Sequence, residues 1–212
     1  MTPFHSLTIE KITTHCLLLI ATAIAILCMG TKGQMVGFWD GCVAYAIALG
    51  FCCGLIIKLL ILTFEAFRLL QEIRSYPHIE LQKLSARIIN TDDIFIAQVG
   101  FLHPELVATQ GLLSVLDAPH LQAVLLHEQA HYYYRDTFWF FWLGWLRSCT
   151  NWLPNTDIIH SELIALRELR ADRWAANHVD SLLLAESLLQ VARAPVKYLY
   201  LTLNPTYACY VN

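Results

Sequence analysis

His127 and His131 stand four residues apart, with Glu128 directly after the first. On a helix, that spacing puts both imidazoles on one face, about one turn apart. Both can then reach a single zinc ion at about 2.0–2.1 Å. Glu128 is rotated about 100° from His127, so it can flank the ion without ligating it. A carboxylate held there can take a proton from attacking water and pass it to a leaving amine. The pattern His-Glu-x-x-His arises by chance in about one chain of this length in a hundred, at usual residue abundances. The plain alternative is a helix with two histidines hydrogen-bonded in a polar interior. The preceding run Ala123-Val124-Leu125-Leu126 points to a buried helix, in which imidazoles need partners.

A catalytic zinc takes three protein ligands and leaves its fourth position open. The candidates downstream are His160, Glu162, Glu168, Asp172, His178 and Asp180. The stretch 161–178 reads as a second helix, with Ile164, Ala165, Glu168, Ala171, Asp172 and Ala175 along one face. Its small residues allow close approach to another helix, and Glu168 is the carboxylate at the centre. Asp172, one turn on, can hydrogen-bond a ligating imidazole and fix its tautomer.

The motif at 127–131 followed by Glu168-Leu169-Arg170-Ala171-Asp172-Arg173 resembles the membrane zinc metallopeptidases of the BlaR/MecR type. Those resemble in turn the HtpX and CAAX-prenyl-protease group, which shares a downstream Glu-x-x-x-Asp. The resemblance runs from about Ile88 to Pro195 and includes Gly100 and Pro104, the Arg135-Asp136 pair, and Asn151-Trp152-Leu153-Pro154. It implies that His127, His131 and Glu168 bind zinc, that Glu128 is the general base, and that Asp172 matches the family's helix aspartate. It implies a zincin-like (gluzincin) fold and hydrolysis of a protein substrate. That substrate is a transcriptional repressor in one branch and membrane proteins under quality control in the other. BlaR-type receptors carry a penicillin-binding domain after the protease. This sequence offers none, so β-lactam sensing is not implied. A rival of another class is a proteolytically silent membrane protein using the same zinc site.

Several elements must position these residues. Asp117 can cap a helix with Pro119 in its first turn, carrying the motif. Upstream, Ile94–Val99 and Glu105–Thr109 read as strands separated by the turn formers Gly100 and Pro104, hence a small hairpin. A zinc peptidase must present an extended substrate, and a strand edge can hold one by main-chain pairing. Ala97 is the candidate substrate-binding position.

Before residue 65 the chain changes character. Hydrophobic residues are 57% of the whole and charged residues 15%. Between Lys11 and Lys58 only Lys32 and Asp40 are charged. The run Cys16–Gly30, extended by Thr13, Thr14 and His15, and the run Gly41–Phe64 read as a transmembrane hairpin, with Lys58 able to snorkel. A signal peptide is the other reading of the first run, but Cys28-Met29-Gly30 makes a poor cleavage site. Glu65–Tyr76 reads as a helix leaving the membrane, ended by Pro77. Five of the seven cysteines fall inside these spans and none forms a Cys-x-x-Cys pair, so neither disulfides nor a thiolate zinc site is expected. The net charge of −3 gives no basic surface for nucleic acid.

The expected fold is α+β and mostly helical. Residues 1–12 are a cytoplasmic segment, 13–66 the hairpin, 67–195 the peptidase domain and 196–212 a tail. The aromatic run Phe138–Leu146 should dip into the bilayer or lie along it; the alternative is a buried aromatic core of the catalytic domain. A full crossing would separate Glu168 from His127 by about 30 Å. Arg68, Arg74, Lys83 and Arg87 after the second span, against Lys32 in the short loop, place the catalytic domain and the N-terminus in the cytoplasm. A bacterial inner membrane protein with a zinc cofactor, a protein or peptide substrate and a lipid bilayer as partners follows from these readings.

Overall fold

The computed structural model describes residues 18–30, 38–152 and 155–193. Helix α1 spans Leu18–Met29 and α2 Phe38–Arg74. Strands β1 (His78–Leu81), β2 (Leu84–Ile89), β3 (Ile96–Val99) and β4 (Glu105–Thr109) follow. Then come α3 (Gln110–Val115), α4 (Ala118–Tyr134), α5 (Asp136–Thr150), α6 (Thr156–Ala175) and α7 (Ser181–Ala192). The described residues are mostly helical, with one small sheet, as the sequence led us to expect.

The chain forms two compact units, one of Met1–Thr63 with Trp145–Ile159, the other of Phe64–Gly144 with His160–Asn212. In the first unit α2 is the one helix, among the described residues, long and apolar enough to cross a membrane. Its 37 residues extend about 55 Å at 1.5 Å each, against about 30 Å of hydrocarbon. Val43, Ile47, Ile56, Ile57, Leu60 and Ile61 are all exposed along it. The helix does not stop at the end of the apolar run, as the separate reading of Glu65–Tyr76 had it, but continues unbroken to Arg74. The described part of the first apolar run, α1, has only 12 residues, about 18 Å. The rest of that arm, 13–17, and the tail 196–212 lie outside the described residues.

The end of α5 joins α2 inside this first unit. Trp145 Nε1 donates to the Leu55 carbonyl at 3.1 Å, and Lys58 Nζ donates to the Ser148 carbonyl. Lys58 thus meets the last carbonyls of α5, where a cation is favoured.

In the second unit the sheet has the order β1-β2-β4-β3. The expected hairpin of β3 and β4 is present, antiparallel, with Ala97 opposite Val107. The hairpin β1-β2 is an addition. It turns through Gln82 and Lys83, both at positive φ (46° and 75°). Such a turn normally advertises itself by Asn-Gly or Gly-Gly, and neither is present here. β2 pairs with β4 in parallel, which leaves β3 on the outer edge.

Alternate residues serve the two faces of the sheet. Ala86, Ile88, Ile96, Leu106 and Ala108 pack with Leu112, Leu116, Val124 and Leu125 of α3, α4 and the link between them. Ile89, Phe95 and Val107 pack with Leu69 and Ile73 from the end of α2. Gly111 is required by close packing, since a Cβ there would stand 2.2 Å from the Asp92 carbonyl oxygen. Ala123 of α4 meets Ala175 of α6 and Leu184 of α7, so the small residues of α6 do let two helices approach closely.

Candidate metal centre

α4 starts as the sequence indicates. Asp117 caps it, accepting from the His120 amide at 3.0 Å, and Pro119 occupies its first turn. The motif lies in the buried half of this helix, with His127, Glu128 and His131 all less than 9% exposed. α6 supplies Glu168. The Nε2 atoms of His127 and His131 are 3.1 Å apart, and Glu168 Oε2 lies 3.3 Å from the first and 3.6 Å from the second. An ion bound tetrahedrally at about 2.0–2.2 Å needs its ligand atoms about 3.3–3.6 Å apart. The three atoms therefore have the spacing of one shared ion. Glu128 also has a carboxylate oxygen within 4.8 Å of a nitrogen on each histidine, and the group His127, Glu128 and His131 could by itself hold a metal.

Each of the three close groups has a partner behind it. Asp172 Oδ1 stands 2.9 Å from His127 Nδ1, off the line of a well-directed hydrogen bond, and both atoms are shut off from solvent. Asp136 Oδ2 lies 2.8 Å from His131 Nδ1. Arg167 donates to Glu168 Oε1 at 2.8 Å through Nε, which leaves Oε2 to the imidazoles. With Nδ1 turned to a carboxylate, each histidine presents Nε2 to the common point.

Asp136 was legible only as part of a resemblance, and Arg167 was not singled out. Asp136 sits five residues after His131, a spacing at which a straight helix would carry it off the histidine face. It arrives because Arg135 takes a left-handed conformation (φ 54°, ψ 42°), capping α4 and starting α5 at the next residue. The other candidates go elsewhere. His160 is buried edge-on against Phe140, His178 lies against the Trp174 ring, and Asp180 caps α7. Glu162 does not line the cavity described next.

The site opens into a cavity of about 380 Å³. Its walls include Leu69, Phe101, Phe140 and Phe141, and along one side run residues 96–101 of the β3 edge and the turn after it. Gly100, at φ 109°, makes that turn, and a Cβ there would press on His103 O at 3.1 Å and Leu70 Cδ1 at 3.2 Å. Ala97, the expected substrate-binding position, lines the cavity, but its amide faces into the sheet and not outward. Thr109 N donates to Phe95 O at 3.1 Å, making Phe95–Thr109 a hydrogen-bonded pair. In an antiparallel ladder such pairs recur every second residue, so the amide of Ala97 is turned inward to Val107 and that of Gln98 outward.

The charges fit a metal site. Burial pushes the His127 imidazole down, but pairing with Asp172 and Glu168 outweighs it and raises the group to about 9. Burial likewise opposes, and Asp136 and Glu168 likewise raise, His131. Burial would raise Glu168, yet the two imidazoles and Arg167 hold it far below the usual carboxylate range. Glu128 moves the other way, because burial raises it more than the imidazoles lower it. A ligating imidazole must be neutral, so metal uptake is expected to release protons and to strengthen as pH rises towards about 9. In metal-free protein the sign reverses. Protonated His127 stabilises the fold fully below its ordinary 6.5, and that contribution is lost as pH rises through about 9. Zinc titration calorimetry in buffers of different ionisation enthalpy measures the protons released. Uptake without proton release near neutral pH would contradict this electrostatic picture.

A scan against protein-family models finds no match to the chain, and a search of curated proteins finds none either.

Proposed function

We propose that this protein is a membrane-bound, zinc-dependent endopeptidase acting on a protein substrate. The observation that carries this reading is the convergence of Glu168 Oε2 on both Nε2 atoms of the motif, with Glu128 beside them and a strand edge along the same cavity. His127, His131 and Glu168 would hold the ion. Two imidazoles and a carboxylate with an open fourth position suit zinc in a catalytic rather than a structural role. Bound there, zinc supplies Lewis acidity towards a carbonyl and a more acidic water. Glu128, raised by burial, is suited to take a proton from an attacking water and return it to the departing amine. The β3 edge would hold the substrate extended, with the Gln98 amide as the outward donor. The neighbouring aromatic wall would exclude water.

The membrane setting rests on α2. The attachment of Trp145 and Ser148 to Leu55 and Lys58 supports a segment that dips beside an apolar helix rather than crossing on its own. Arg68 and Arg74 in the last turns of α2, with Lys83 and Arg87 beyond it, favour a catalytic domain on the cytoplasmic face of a bacterial inner membrane. The resemblance at the motif level supports two substrate classes, a repressor or membrane proteins under quality control.

Detergent-purified protein should contain one zinc per chain and cleave casein, and loss of cleavage on chelation should be reversed by added zinc. Stoichiometric zinc with no cleavage of casein or of unfolded membrane proteins would favour the silent zinc-binding alternative. A second expectation concerns the strand edge. Gln98→Pro removes the outward amide at a position where an edge strand tolerates proline, and it should lower cleavage about tenfold with folding and zinc retained. Ala97→Pro should instead disrupt the sheet. Wild-type cleavage by Gln98→Pro would show that the substrate does not pair there.

A further inference from the structure

The strongest unexplained feature near the site is the charge pair of Asp136, which lies behind His131, with Arg170, which touches no proposed ligand of the ion itself. Asp136 is 2% exposed, yet it is a carboxylate. Its two oxygens are divided. Oδ2 faces His131 Nδ1 at 2.8 Å, and Oδ1 accepts from Arg170 Nη2. The Arg170 guanidinium also lies over the Tyr134 ring, 4.3 Å from its centroid. Tyr134 is the last residue of α4 and Asp136 the first of α5. Arg170 therefore grips the two sides of the turn that brings Asp136 under His131.

From this we propose that Arg170 is a positioning residue of the metal centre. It holds Asp136 in place so that His131 keeps its proton on Nδ1 and presents Nε2 to the ion. The proposal rests on the zinc reading above. A buried carboxylate with a single neutral partner is costly, and a fixed cation on its other oxygen removes most of that cost. Arginine suits the task better than lysine. Its planar head can stack on a ring with one face while its edge donates to a carboxylate. Arg170 lies two residues after Glu168 on α6. This helix thus acts on the site twice, through a ligand and through the clamp on the partner of another ligand. Shifting α6 would disturb Glu168 and His131 together. The Arg170 side chain is 46% exposed, so removing it opens no cavity in the core.

The test uses the full chain in detergent and reads metal binding rather than turnover. Zinc affinity is measured by competition with a chromogenic chelator, and ligand geometry by the visible absorption of the cobalt-substituted protein. Arg170→Ala should weaken zinc binding about 10–100-fold and shift the cobalt bands, with Arg170→Lys recovering part of the loss. Asp136→Asn should lose a similar amount, and the double variant Asp136→Asn/Arg170→Ala should be no weaker than Asp136→Asn alone. If Arg170→Ala does not fold, Arg170→Gln carries the same expectation. An Arg170 variant that folds and binds zinc within about twofold of wild type, or losses that add fully in the double variant, would overturn the proposal. Wild-type protein that binds neither metal would overturn the zinc reading itself, which is a separate and visible result.

Discussion

Glu128→Gln is expected to leave zinc content unchanged and to lower peptide hydrolysis by about 10²–10⁴-fold, the usual contribution of a positioned proton-transfer group. Glutamine keeps the size and the hydrogen-bonding shape of the side chain but cannot take a proton. Glu128 is 8% exposed and its carboxyl is raised by burial, which brings its proton affinity closer to the working range of a general base. The side chain has an oxygen within 4.8 Å of a nitrogen on each histidine, while Glu168 Oε2 lies 3.3 and 3.6 Å from the two Nε2 atoms. Zinc analysis and casein cleavage on the same preparation separate the two roles. A variant that keeps both zinc and full activity would remove Glu128 from the chemistry. A variant that loses zinc would make it a ligand.

The second large effect concerns the ligands. Zinc bound by a small protein site is worth about 10–16 kcal/mol. Shared over the four protein ligands of such a structural site, that is about 3 kcal/mol per ligand, or a loss of about 100-fold or more when one is removed. His127→Ala, His131→Ala and Glu168→Ala should each show at least this loss. Glu168→Ala is the informative one, because the carboxylate comes from a different helix and is 39% exposed on its side chain. Arg167 holds its other oxygen, which leaves Oε2 turned to the imidazoles. Full zinc affinity in Glu168→Ala would move the third ligand elsewhere. Glu128 would then be the next to test, because its carboxylate is the other one near both imidazoles.

Much of the site could be read from the residues. Helical spacing alone placed His127 and His131 on one face and turned Glu128 aside, because an α-helix fixes angles between near neighbours. The cap at Asp117, the strands read at 94–99 (observed from Ile96) and 105–109, and the small face of α6 were local patterns of the same kind. Other features were not local. The hairpin at Gln82-Lys83 uses residues that do not announce positive φ, so β1 and β2 went unread. The pairing of β2 with β4 left β3 at the edge, and only the register showed that Gln98 rather than Ala97 turns its amide outward.

What the sequence by itself determined is the chemistry available on α4 and the presence of a helix long and apolar enough to cross a membrane. The tertiary structure decided which of six downstream candidates meets the histidines. It also decided that a left-handed residue at Arg135 folds Asp136 back beneath His131, and that Arg170 reaches Asp136 from α6. Spacing along one helix follows from 3.6 residues per turn. The distance between two helices follows from the packing of Ala123 against Ala175, the turn between α4 and α5 and the sheet beneath them, and no single segment encodes it.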